Sequence, residues 1–80
     1  MDKEQIKEKV QEVFREVFDD DCLIISDETS AKDVENWDSL SHLTMINEIE
    51  CTFGIRIKMK DALNMKNTGE LISVIQSLIN

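Results

Sequence analysis

Apolar residues recur along the first eighteen positions at the spacing of a single helix face. Ile6, Val10, Val13, Phe14, Val17 and Phe18 form one stripe at about 3.6 residues per turn, and acids and lysines fill the opposite face. The stripe stops at Asp19-Asp20-Asp21. Carboxylates there oppose the helix dipole, so the helix is expected to end near Phe18 or Asp19. A second helix is expected from Asp38 or Ser39 to about Thr52, with Asp38 as N-cap and Gly54 as C-cap. Leu43, Met45, Ile46, Ile49 and Phe53 share its broad apolar face. Ile55-Arg56-Ile57 alternates like a strand but has no second strand to pair with, and reads as extended loop. A short helix is expected over residues 60–65. A last one follows Asn67, with Glu70 completing a capping-box pattern, and carries Leu71, Ile72, Val74, Ile75, Leu78 and Ile79.

Between the first two helices lies a connection over residues 19–37. Loops of this length in a small domain are often functional. Leu23, Ile25, Val34 and Trp37 are placed to tack it onto the core. An EF-hand reading of its first part fails, because the fifth, sixth and twelfth positions hold Leu23, Ile24 and Ser30 where oxygen, glycine and glutamate are needed. No proline and no hairpin signal occur. The expected architecture is all-α: a small bundle of three main helices and one short helix, with a long loop between helices 1 and 2.

Composition narrows the partners. Eighty residues make one expected domain, 1–80, with a modest core. The net charge of −8 is uneven: residues 1–40 hold 13 acids and 5 bases, and residues 41–80 hold 4 of each. Such a surface repels nucleic acid phosphates and favours basic partners. Cys22 and Cys51 lack redox or zinc spacing and read as free thiols of a reducing compartment. The start Met-Asp-Lys-Glu has neither signal-peptide nor membrane-span character, so a cytoplasmic protein is expected.

Candidate chemistry concentrates at the start of the second helix, in "WDSLSHL". A helix start needs a cap, which Asp38 supplies, and Ser39 is left over. Hydrolysis by Ser39 would need a base and oxyanion donors. The single histidine, His42, lies near it at helical spacing, but no oxyanion donors are apparent. Covalent attachment demands less. A modifying enzyme can bring its own base and metal, and needs only an accessible hydroxyl on a rigid element. A phosphodiester at Ser39 would also lie near the free amides of a helix N-terminus. Asp38 opposes this electrostatically and suits the modifying enzyme instead, for instance as a ligand to its metal ion.

The chain resembles the acyl carrier proteins over nearly its whole length. The resemblance rests on the first stripe, the long loop, "WDSLSHL", "FGIRI" and "NTGELISVI" in that order. It implies 4′-phosphopantetheine on Ser39, with Asp38 and Leu40 as motif residues read by a phosphopantetheinyl transferase. It further implies a non-catalytic, monomeric carrier that presents thioesters to acyl- or aminoacyl-activating and acyl-transferring enzymes, raising the local concentration of the tethered group. Partner- or pocket-facing candidates are Trp37, His42, Leu43, Thr44, Ile46, Asn47, Glu48 and Ile57. Trp37 reads either as a partner contact or as a loop anchor, and His42 as a pocket-mouth residue or a rim histidine bonded to loop backbone or water. Met45, Met59 and Met65 read as soft core filler, and methionine also suits a pocket that adapts to varied guests.

The sequence departs from the family in two places. Fatty-acid carriers are typically acidic along the helix after the serine, whereas Ser41, Thr44, Asn47 and Cys51 are neutral here, with Glu48 and Glu50 remaining. Arg56, Lys58 and Lys60 follow. A dedicated pathway is therefore expected, such as polyketide, modified amino acid or surface-glycan precursor assembly. Asn36-Trp37 stands where carrier domains of peptide synthetases have a glycine pair. The competing class is an acidic helical interaction module that carries no prosthetic group.

Overall fold

The computed structural model describes residues 1–79. Four helices account for the regular structure: α1 (Lys3–Val17), α2 (Ser39–Phe53), α3 (Met59–Asn64) and α4 (Thr68–Ile79). α1 packs against both α2 and α4. Its stripe is buried as expected through Ile6, Val10, Val13 and Phe14. The helix opens with a reciprocal capping box between Asp2 and Gln5 and closes on Phe18. Asp19 then turns the chain with φ 52, so the three aspartates lie outside the helix whose dipole they would oppose.

Met45, Ile46 and Ile49 of α2, and Leu71, Ile72 and Ile75 of α4, complete the core. The long loop, residues 18–38, is fastened to it by side chains and by hydrogen bonds. Phe18, Ile25 and Val34 are buried, and Leu23 and Trp37 pack partly buried beside them. Arg15 Nε donates to the Leu23 carbonyl at 2.8 Å, and Gln11 Oε1 accepts from the Ile25 N–H at 3.0 Å. At its middle the loop receives α4. The Thr29 carbonyl accepts from the Thr68 N–H at 2.8 Å and from its hydroxyl at 3.1 Å, and the Asp27 carbonyl accepts from the Gly69 N–H at 2.9 Å. The buried Thr68 is thereby satisfied, as a buried polar group must be.

Three apolar positions expected inside are not. Leu43 is 46% exposed and Leu78 47%, because each sits at the edge of its stripe. Met59 is 63% exposed: it opens α3, whose single buried residue is Ala62. The expected capping box at Asn67 is half present, with Asn67 Oδ1 accepting from the Glu70 N–H at 2.9 Å. Ile55-Arg56-Ile57 is extended and unpaired, and Glu50 accepts from the Ile57 N–H at 2.8 Å. Gly54 ends α2 in the left-handed conformation, φ 65 and ψ 41, where a side chain would be strained.

Candidate functional site

The junction of the long loop with α2 is built by Asn36, Asp38 and Ser41. Asn36 adopts φ 71, a left-handed value that asparagine tolerates better than most residues, and so does the work of a glycine at this turn. Asp38 is extended and caps α2 reciprocally. Its carboxylate accepts from the Ser41 N–H at 2.9 Å, and Ser41 Oγ accepts from the Asp38 N–H at 2.8 Å. The Ser41 hydroxyl donates back to the Asn36 carbonyl at 2.7 Å. Hydrogen bonds from the Ser41 backbone, then from its hydroxyl, hold the Asp38 carboxyl below its ordinary value of 3.8.

Ser41 was expected to be a neutral outward residue, and it is the cap partner instead. Ser39, two positions earlier, is exposed, and its hydroxyl enters none of the hydrogen bonds of the cap. Leu40 beside it is 79% exposed. The helix start thus holds one serine spent on structure and one presented outward.

A solvent-open groove of about 440 Å³ runs from Ser39 between α2 and the α3–α4 connection. Trp37, His42, Leu43, Leu63 and Met65 give it apolar walls, and Lys66 is the cation lining it. Leu43 therefore faces the groove, which explains its exposure. Ile46 and Ile57, expected as pocket candidates, are only 6% and 8% exposed and belong to the core. Thr44 and Asn47 are exposed and Glu48 partly so, and none of them lines this groove. Leu63 and Lys66 escaped the sequence reading because they come from a distant segment and carry no motif.

Trp37 and His42 form the inner wall. The Trp37 ring packs edge-on against Phe14, centroids 5.2 Å apart, and tilted against Phe18 at 5.6 Å. Its plane lies within 14° of the His42 ring, with centroids 6.0 Å apart, so the two rings are nearly coplanar and meet edge to edge. Trp37 Nε1–H donates to His42 Nδ1 at 3.1 Å. Indole is a donor only, so Nδ1 is the unprotonated nitrogen, and His42 Nε2–H donates to the Ala62 carbonyl at 2.7 Å. His42 is thus bonded to backbone, but to that of α3, and Trp37 is a loop anchor. Together they tie loop, α2 and α3 into one clasp.

The family profile described as "Phosphopantetheine attachment site" matches residues 8–75. The chain belongs to the acyl carrier protein family. Family members carry 4′-phosphopantetheine covalently and act as carriers rather than catalysts. Over 77 residues, 96% of this chain, it is 35% identical to an acyl carrier protein of an Exiguobacterium species, covering 98% of that relative. An acyl carrier protein of Exiguobacterium sibiricum is 33% identical over 79 residues, 99% of this chain and 100% of the relative. Among solved structures, the solution structure of a holo acyl carrier protein from Geobacter metallireducens superposes with a TM-score of 0.86 at 34% identity, covering 92% of this chain and 85% of that one. The four-helix architecture is therefore the carrier fold, and no described helix is long and apolar enough to cross a membrane.

Proposed function

We propose that Ser39 is the hydroxyl to which the phosphopantetheine arm is joined. The observation that carries this reading is the division of labour at the helix start: Ser41 completes the cap, while Ser39 stands exposed at the mouth of an apolar groove. A phosphopantetheinyl transferase reads the exposed Asp38 and Leu40. His42 is not free to act as a base for the transfer, since both its nitrogens are already engaged. The arm's thiol then carries acyl groups as thioesters between activating and transferring enzymes. On the protein side, Lys66 offers positive charge beside the phosphodiester, and the groove walls offer apolar surface to the arm. Asp38 already occupies the Ser41 N–H, which leaves less of the helix N-terminus to the phosphate than an uncapped helix would offer.

The carrier serves a dedicated pathway of the polyketide, modified amino acid or surface-glycan kind, as a cytoplasmic, monomeric single domain over 1–80. Support comes from the face of α2 that partners would read: Thr44, Asn47 and Cys51 are exposed and uncharged, and exposed Arg56, Lys58 and Lys60 follow. Exposed charges set partner choice and encounter rate more than affinity. Incubation with coenzyme A and a broad-specificity transferase should add the mass of one phosphopantetheine, and Ser39→Ala should remove that gain. A wild-type chain that gains no mass is the non-carrier interaction module. Charging and elongation by fatty-acid synthase enzymes should be slow, and brisk turnover would count against the dedicated pathway.

A further inference from the structure

We propose that the outward face of α3 beside Ser39 docks an acyl-handling enzyme whose carrier-binding surface is acidic around an apolar socket. The proposal rests on the attachment at Ser39 and adds the kind of partner. Charge is sharply divided along the chain. Residues 56–66 hold four bases, Arg56, Lys58, Lys60 and Lys66, against the single acid Asp61, a balance of +3. The remaining residues hold 5 bases and 16 acids, a balance of −11. All four bases are exposed, and none is paired: among the described residues the one ion pair joins Lys3 to Asp27. Two of them do nothing for the helix either. Lys58 precedes α3 without a side-chain cap bond, and Lys60 stands in its first turn, where positive charge opposes the dipole.

Apolar surface accompanies the cations. Met59 and Leu63, four residues apart on α3, share one face of the helix and are 63% and 65% exposed. Leu63 and Leu43 border the groove at Ser39, and Leu40 stands out from α2 beside it. Apolar side chains left in water and rimmed by unpaired cations suit a partner that covers both. The net charge of −8 does not forbid an acidic partner, because screening is short-ranged. At physiological ionic strength the Debye length is about 8 Å, close to the length of a six-residue helix. A partner near contact therefore meets the local positive balance, while the carboxylates of α1 and the long loop repel it from their own faces. The charge division thus orients the encounter: α3 leads, and Ser39 with its arm faces the partner. An anionic membrane offers the same charge, but two outward apolar side chains on so short a helix give little area to insert.

The test titrates two synthetic helical peptides into the isotope-labelled full chain at about 0.15 M salt. Both carry leucines along one face; one has glutamates beside them and the other lysines. The glutamate peptide should shift the amide resonances of Leu40, Met59, Lys60 and Leu63. It should bind there about tenfold more tightly than the lysine peptide, as a few exposed ion pairs exchanged for like-charge contacts would give. The double variant Lys58→Glu, Lys60→Glu should reverse that preference while its urea midpoint stays level or rises, since carboxylates suit the start of a helix. The wild-type preference decides on its own if the variant does not fold. Equal binding of the two peptides, a preference for the lysine peptide at α3, α3 resonances that neither peptide moves, or a folded variant with an unchanged preference overturns the docking surface. So does a response of α3 to phosphatidylglycerol vesicles without one to the glutamate peptide, which makes it a lipid site. Shifts of the same resonances on dilution of the chain alone make it a contact between copies, and overturn it too. A chain that gains no mass from coenzyme A and a transferase fails the carrier reading itself, whatever the peptides do, and is thereby distinguished from failure of the docking surface.

Discussion

Replacing Gly69 by alanine sets two physical effects against each other. Helix propensity favours alanine by at most about 0.8–1.0 kcal/mol, the value for a helix interior, and by less at Gly69, which lies in the first turn of α4. The structure opposes it, since a Cβ at position 69 would lie 2.8 Å from the Asp27 carbonyl oxygen and 3.1 Å from Asp27 Cβ. Both belong to the loop, and the same carbonyl accepts the Gly69 N–H at 2.9 Å. The loop can retreat only by stretching that bond, and the Thr68–Thr29 bonds beside it must follow. Overpacking costs about 1–3 kcal/mol, and each weakened hydrogen bond adds up to about 1 kcal/mol. The net expectation is a destabilisation of about 1–3 kcal/mol. For a domain of this size that lowers Tm by roughly 4–8 °C per kcal/mol. Thermal and urea unfolding followed by circular dichroism measure it, with an unchanged urea m-value showing that the denatured state is not the cause. A Gly69→Ala chain as stable as the wild type, or more stable, would refute the docking of α4 on the loop described above.

Gly54→Ala should cost about 1 kcal/mol, and Gly54→Asn less, because φ is 65 and no atom lies within 4 Å of the added Cβ, so the backbone alone is strained; equal urea midpoints for all three chains would exclude this. Asp38→Ala should lower Tm at neutral pH by removing the α2 cap, and a chain melting like the wild type would mean the cap is idle. The Asp38 carboxyl titrates lower in the folded chain than its ordinary 3.8, so its stabilisation is complete above that value and fades as pH falls through the lower folded one. Asp38→Asn keeps an acceptor without this titration, so the stability gap between it and the wild type should narrow or reverse only in acid, and a gap constant from neutral pH to pH 3 would contradict the assignment. Ser41→Ala should destabilise the chain by about 0.5–1.5 kcal/mol through the lost reciprocal cap, read by urea unfolding, with no loss expected if Ser41 were mere surface.

The helices were legible from sequence because each carries its own periodic stripe and its own stop signal. The aspartates after Phe18 and the glycine after Phe53 mark real ends, and Asp38 marks a real start. Stripe edges were not legible. Leu43 and Leu78 have the chemistry of core residues, and only the positions of neighbouring helices decide that they stay partly outside. The groove was half legible: Trp37, Ser39 and His42 stand in one motif, while Leu63, Met65 and Lys66 reach it through tertiary packing. The Thr29–Thr68 and Asp27–Gly69 bonds join segments some forty residues apart, with no local signal at either end. The role of Ser41 in the cap was missed although Asp38-x-x-Ser41 has capping-box spacing, because serine stands there in place of the usual glutamate or glutamine.

The central claim is that one particular hydroxyl bears the arm, and peptide mapping by tandem mass spectrometry after treatment with coenzyme A and a transferase tests it most directly. The account predicts phosphopantetheine on Ser39 alone, retained in Ser41→Ala and lost in Ser39→Ala. An adduct located on Ser41 or any other residue, or one that survives Ser39→Ala, would contradict it.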